Sequence, residues 1–150
     1  MHAHEGRGLA RGGFTLVEML VVLTIIMLLA GIVTVNVIRH QAEAKVKTAR
    51  IQIAQLLDAV RLYQTEQGRP PTMEQGLEAL VRKPTAPPAT EKYPDEGYLS
   101  SRRLPKDPWG HDYVYLAPGR EGAPYEIVSY GSDGAPGGAK DAADLSSLEP

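Results

Sequence analysis

Residues 14–67 read FTLVEMLVVLTIIMLLAGIVTVNVIRHQAEAKVKTARIQIAQLLDAVRLYQTEQ, and this stretch decides the architecture. It holds no proline and a single glycine, Gly31, whereas all 12 prolines of the 150-residue chain lie at position 70 or later. Proline breaks a helix interior and glycine weakens it. The whole stretch therefore predicts one long helix. At about 1.5 Å per residue such a helix reaches roughly 80 Å, several times the radius of gyration of roughly 15 Å expected for a compact chain of this length. The pattern predicts a stalk carrying a head.

The stalk has two halves. Residues 14–38 are apolar almost throughout, with Glu18 the only charge. From Leu16 to Ile38 a helix covers roughly 34 Å, enough for a bilayer core of about 30 Å, so this half predicts a transmembrane segment. Two other readings are weaker. A buried helix of a soluble protein is usually shorter, and the rest of the chain has too little apolar sequence to surround this one. A secretory signal peptide has a shorter apolar region and a small-x-small cleavage site, whereas Val35-Asn36-Val37-Ile38-Arg39 closes this one. Residues 39–67 are amphipathic instead. Val46, Ala49, Ile53, Leu56, Leu57, Val60 and Tyr63 recur at three- and four-residue steps, one face of a helix. Lys45, Lys47, Arg50, Gln52, Asp58 and Arg61 occupy the other.

Gly68-Arg69-Pro70-Pro71 stops the helix, and residues 68–150 predict the head. Thr72 with Gln75 fits a capping box ahead of Leu77, Leu80 and Val81, which predicts a short second helix. A proline-rich connection covers residues 84–96. Two alternating runs, Asp112–Leu116 and Tyr125–Tyr130, flank a linker with two glycines and predict a small antiparallel hairpin. From Gly131 to residue 146 the chain is a glycine-rich, acidic loop. The fold class expected is α+β.

Composition removes several classes of function. Sixteen Lys plus Arg against 18 Asp plus Glu give a formal charge of −2, without the basic excess of a dedicated nucleic-acid binder. There is no cysteine, hence no disulfide, thiolate metal site or cysteine nucleophile. Of His2, His4, His40 and His111, only the first two are spaced to share a metal. No nucleophile–base pair stands out, and His111, after Pro108-Trp109-Gly110, reads as a loop residue. Trp109 and the tyrosines read as core aromatics that pack the hairpin onto the stalk's apolar stripe.

The junction Gly13-Phe14-Thr15-Leu16-Val17-Glu18 is the strongest local signal. A short leader, residues 1–13, carries Arg7 and Arg11 and meets the apolar helix at a glycine. A lone carboxylate within a membrane costs about 2.5–3.5 kcal/mol on insertion scales, so Glu18 needs a reason unless it sits solvated at the interface. The combination resembles the leader of type IV pilin-like proteins. That resemblance implies a prepilin peptidase cutting between Gly13 and Phe14 on the cytoplasmic side, followed by N-methylation of Phe14. It implies that Glu18 of one subunit neutralises the new amine of Phe14 on its neighbour during filament assembly. A desolvated pair of that kind selects register more than it adds stability. The orientation implied, leader in the cytoplasm and head beyond the inner membrane, runs against the simple charge count: Arg39, Lys45, Lys47 and Arg50 follow the span.

Three further segments narrow the resemblance. Gly68-x-Pro-Pro-Thr72-x-x-Gln75-Gly76-Leu77-x-Ala79-Leu80, Leu104-Pro105-Lys106-Asp107-Pro108-Trp109-Gly110 with Tyr113 and Tyr115, and Ser129-Tyr130-Gly131-Ser132-Asp133-Gly134 with Gly137-Gly138 stand in this order. They resemble the major pseudopilins of type II secretion systems, the general secretion pathway protein G family. That family implies a pilin-like fold and a non-enzymatic structural subunit. Its homopolymer forms a periplasmic filament that promotes export of folded proteins. The implied partners are minor pseudopilins, an inner-membrane assembly platform, a secretin and the prepilin peptidase, with no nucleic acid.

On composition alone the tail reads as a solvated acidic loop, and the EF-hand spacing is absent. The resemblance implies calcium there, with Asp133, Asp141 and Asp144 supplying side chains and Tyr130 and Ala139 supplying backbone carbonyls. A metal bridge in a cysteine-free head would hold the loop that many pilins close with a disulfide. Two features depart from the family pattern. Val35 stands where relatives carry a proline before Asn36, so the usual helix break is expected to be weakened. The chain ends Leu145-Ser-Ser-Leu-Glu-Pro rather than in a Gly-Ser-Trp-like segment. A surface-pilus major pilin, a membrane-anchored enzyme and a membrane-anchored calcium-dependent binding module are the alternative readings.

Overall fold

The computed structural model describes residues 13–149, and within them the side chains of residues 31–39 are outside the described set. Residues 1–12 of the expected leader lie outside it, as do the side chains of Val35 and Asn36. The chain divides into two units, Met1–His40 and Gln41–Pro150. Helix α1, Leu16–Gln67, contributes to both.

In the first unit, every described residue from Gly13 to Ala30 is exposed. Leu16 is 82% and Leu28 71% exposed, and Leu20, Ile26 and Leu29 are more than half exposed. Apolar surface of this extent on a soluble chain marks an interaction or membrane surface. Among the described residues no helix is long and apolar enough to cross a membrane. The span expected over residues 14–38 runs into the side chains of residues 31–38, outside the described set.

In the second unit one face of α1 is buried and the other is wet, as its periodicity dictates. Ala49, Ile53, Leu56, Ala59, Val60 and Tyr63 are buried, with Val46 and Leu57 packed beside them. Lys45, Lys47, Arg50, Asp58 and Arg61 are exposed, and Gln52 is half-buried. The helix stops where Gly68 turns to φ +75°, the left-handed conformation that ends helices at low cost to glycine.

The capping box forms: the Thr72 amide donates to Gln75 Oε1 at 3.1 Å and the Gln75 amide to Thr72 Oγ1 at 3.2 Å. The short second helix expected after it takes 3₁₀ form. A turn over residues 73–76 leads into one 3₁₀ turn, Leu77–Leu80. Gly76, at φ +58° and ψ −166°, takes the backbone out of helical geometry just where an α-helix would propagate. Leu77, Ala79 and Leu80 are buried all the same.

The sheet is antiparallel and three-stranded, in the order β1 (Val114–Leu116), β2 (Glu126–Ser129), β3 (Leu145–Ser146). Tyr115 stands opposite Ile127, and Val128 opposite Ser146. The tail therefore does not stay a loop to residue 146; it returns as a third strand. Tyr113, Tyr115 and Tyr125 are buried and Trp109 is half-buried against the same core. The Tyr113 hydroxyl donates to Gln52 Oε1 at 2.6 Å and that of Tyr115 to the Pro71 carbonyl at 2.9 Å. The hairpin is thus tied to α1 and to its exit. Tyr98 meets Tyr63 and Tyr93 edge to face at 5.2 and 5.4 Å, contacts worth about 0.5–1.5 kcal/mol each beyond area.

Candidate functional site

Two places hold the residues that the sequence singles out: the start of α1 and the loop between β2 and β3. At the helix start, Thr15 and Glu18 form a second capping box. The Thr15 amide and Oγ1 donate to Glu18 Oε2 at 2.8 and 3.0 Å, and the Glu18 amide donates to Thr15 Oγ1 at 3.2 Å. Orphan amides of the first turn are thereby satisfied within the chain. The carboxylate also sits at the positive end of the helix dipole. Both of the Thr15 bonds to the carboxylate use Oε2, and among the described residues Glu18 Oε1 makes no hydrogen bond. Gly13 and Phe14 precede the box; both are exposed, Phe14 by 78%. A Cβ at Gly13 would meet nothing within 4 Å among the described residues.

The C-terminal loop carries Asp133, Asp141 and Asp144. Oδ1 of Asp133 accepts the Ala135 amide at 3.2 Å, and both oxygens of Asp144 accept the Gly137 amide at 3.0 and 3.1 Å. None of the three makes an ion pair among the described residues. The Ala139 carbonyl accepts the Ala142 amide at 3.2 Å, and Tyr130 leads into the turn. This all-oxygen donor set is of the type that calcium takes. The residues share one loop, but the structure does not gather them: among the described residues no group of three or more acidic, histidine or cysteine side chains is placed to hold a metal ion.

A buried polar hub anchors that loop. Asp107, 4% exposed, accepts the His111 amide at 2.8 Å and the Trp109 amide at 3.1 Å through Oδ1, and the Ser129 hydroxyl at 2.7 Å through Oδ2. His111 Nδ1 lies 3.0 Å from the Gly131 carbonyl. Serine, histidine and aspartate meet here, but the buried Ser129 donates straight to the carboxylate and His111 faces a carbonyl. The arrangement braces a turn and activates no nucleophile. A second hub covers β2: Glu126, fully buried, accepts the Arg120 guanidinium and the Ser146 hydroxyl, the latter at 2.6 Å.

With these arrangements in view, the comparisons with known proteins are specific. The family model described as type II secretion system (T2SS), protein G, matches residues 36–148, three-quarters of the chain. The chain belongs to the type II secretion system protein G family. The prokaryotic N-terminal methylation motif matches residues 9–34, the segment holding Gly13, Phe14, Thr15 and Glu18. A type II secretion system core protein G of Dickeya chrysanthemi is 44% identical over 124 residues, 83% of this chain and 79% of that one. Its counterpart in Pseudomonas aeruginosa is 42% identical over 135 residues, 90% and 93% of the two chains. The crystal structure of the major pseudopilin from the type 2 secretion system of enterohaemorrhagic Escherichia coli superposes with a TM-score of 0.64. It is 36% identical and covers 75% of this chain and 93% of that one. The pilin-like α+β fold is thus that of the protein G family, in which the chain is a structural pseudopilin.

Some functional residues escape sequence reading. The Thr15–Glu18 box has a signal, Thr-x-x-Glu at the head of an apolar run. Asp107 has a weaker one, since Asp before Pro favours a side-chain-braced turn. The Arg120–Glu126 pair has none, because a charged residue in an alternating run reads as solvent-facing.

Proposed function

We propose that this chain is the subunit that polymerises into the periplasmic pseudopilus of a type II secretion system, and that its filament promotes export of folded proteins across the outer membrane. The observation that carries this reading is the first unit. It presents an exposed apolar helix start with a single carboxylate, half of which is satisfied by its own Thr15. Such a surface is stable in a membrane or among identical helices, and a head-to-tail contact between copies that does not close a ring continues as a fibre.

In this reading residues 14–38 hold the unassembled subunit in the inner membrane as a single span, with the leader cytoplasmic and the head periplasmic. Cleavage after Gly13 frees the Phe14 amine, which is methylated. The free Oε1 of Glu18 then meets that amine on a neighbouring copy. Minor pseudopilins, an inner-membrane assembly platform, a secretin and a prepilin peptidase are the partners that the family relationship supports. Calcium is the ion proposed for the C-terminal loop, with Asp133, Asp141 and Asp144 and the carbonyls of Tyr130 and Ala139 as its donors. When bound, it would supply a cross-link between three carboxylates, of which Asp133 and Asp144 otherwise cap single amides.

Mass spectrometry of protein from native membranes tests the processing step. The expected mature chain begins at a methylated Phe14, and an intact leader on assembled protein refutes it. Electron microscopy of the assembled protein tests polymerisation, with filaments expected.

A further inference from the structure

A groove of about 620 Å³ opens beside β1, between α1, the Leu77–Leu80 turn and the segment around residues 102–106. Leu56, Leu77, Leu104 and Tyr115 give it an apolar lining, and basic side chains stand at its rim. Two of these are already neutralised: Arg82 pairs with Glu78 at 2.7 Å and Lys106 with Asp112 at 3.2 Å. Arg102 and Arg103 are exposed and, among the described residues, neither side chain has a hydrogen bond or ion pair. The groove thus offers apolar surface beside two uncommitted guanidinium groups.

The complementary element lies at the other edge of the sheet. Immediately after β3 the chain presents Leu148, 40% exposed, and then an exposed Glu149. From Gly131 to Glu149 it carries four acidic residues against one lysine. We infer that the groove receives Leu148 and Glu149 of a neighbouring copy, Leu148 on its apolar floor and Glu149 against Arg102 and Arg103. The sheet order β1-β2-β3 puts socket and plug at opposite edges. A one-way contact between them is heterologous, and a heterologous contact whose rotation does not close a ring repeats along a fibre. Charges at the rim of such a contact fix register and exclude wrong pairings more than they add affinity. The inference rests on the polymer reading above and adds the contact between heads to it.

The absence of cysteine makes the test clean. Arg103→Cys and Glu149→Cys variants of the full chain, each with a different tag, are co-expressed, assembled and mildly oxidised. Gain of a mixed-tag covalent dimer in filaments, lost in detergent-dispersed protein, is the expected result. Both positions are exposed, so neither substitution removes core packing. Filaments without that dimer overturn the docking contact and leave the polymer reading standing. A mixed dimer formed by Asp144→Cys but not by Glu149→Cys likewise overturns it, by placing the acidic loop in the groove instead. Failure of the unmodified chain to form any filament overturns both. A second arm uses charge: Arg102→Glu with Arg103→Glu should reduce filament yield, and Glu149→Arg in the same chain should restore it.

Discussion

Arg120 closes over the fully buried carboxylate of Glu126, its Nε donating to the two oxygens at 2.9 and 3.0 Å and its amide donating to Oε2 at 3.0 Å. The Ser146 hydroxyl completes the shell from β3. One carboxylate therefore joins the hairpin loop, β2 and the returning strand.

That carboxylate should make the fold acid-sensitive. The Arg120 hydrogen bonds, opposed by burial and assisted by Ser146, hold the Glu126 carboxyl down at about 2, against an ordinary 4.5. A depressed carboxyl contributes stability that is present above its unfolded value and is lost as pH falls through the folded one. Melting temperature should therefore fall as pH drops from about 4.5 to 2. Glu126→Gln should be less stable at pH 7 and should flatten this dependence. Arg120→Ala should cost about 3–5 kcal/mol, the usual cost of removing one partner of a buried ion pair. Thermal melts across that pH range decide, and an unaltered acid slope in Glu126→Gln would remove this account.

At the helix start, capping and charge can be separated. Glutamine serves in a capping box as glutamate does, but it cannot neutralise an amine. Glu18→Gln should keep the first turn of α1 and still assemble as poorly as Glu18→Ala, with leader cleavage intact in both. Filament yield and processing are read together. Full assembly of Glu18→Gln would show that the carboxylate only caps its own helix.

What could be read in the sequence followed periodicity. Ala49, Ile53, Leu56, Val60 and Tyr63 announce their face by spacing, and the structure buries them. The hairpin runs are legible to within two residues. Tyr113 stays outside β1 and Tyr125 outside β2, because pairing begins only at Val114 and Glu126. The remainder depends on contacts distant in sequence. A two-residue strand such as Leu145–Ser146 has no period to detect. Glu126 in an alternating run is buried because Arg120, six residues earlier, folds over it. The side-chain Nε2 of Gln75 donates to the carbonyls of Ala86 and Pro88 at 2.8 and 3.0 Å, fastening a proline-rich connection whose path no local rule gives. At the C-terminal loop the acidic residues were legible as a set. Their arrangement, each capping a backbone amide or facing solvent, was not.

Calcium should stabilise that loop. A ligand that binds only the folded state adds about 2.7 kcal/mol when present at a hundred times its dissociation constant. Calcium should raise the melting temperature of the wild-type protein and a chelator should reverse the rise. Asp133→Ala, Asp141→Ala and Asp144→Ala should each blunt the response, and Asp144→Ala should also release the Gly137 amide. A wild-type melt indifferent to both calcium and chelator would take the ion out of the picture.

The loop's backbone crossing gives a sharper comparison between two glycines. Gly131 sits at φ +62°, and a Cβ there would fall 2.8 Å from the Asp141 carbonyl oxygen and 2.9 Å from that of Ala143. Both are backbone atoms, and the Asp141 carbonyl already accepts the Ser132 amide at 2.9 Å, so neither can swing aside as a side chain would. Gly137 sits at φ +101° with nothing within 4 Å of its Cβ position. Alanine at position 137 meets only the left-handed backbone cost, of order 1–3 kcal/mol. Alanine at 131 meets that cost and a collision that must push residues 141–143 away from the turn. Gly131→Ala should therefore destabilise the protein more than Gly137→Ala. It should also loosen β3, because Leu145 pairs with Ser129 only two residues before the glycine. Amide exchange at Ile127 and Ser147 reports that pairing, since the Ile127 amide donates to Ser147 Oγ and the Ser147 amide to the Ile127 carbonyl. Faster exchange at both in Gly131→Ala, with little change in Gly137→Ala, is the expected pattern. Equal effects would mean that backbone strain alone, and not the crossing, sets the shape of the loop.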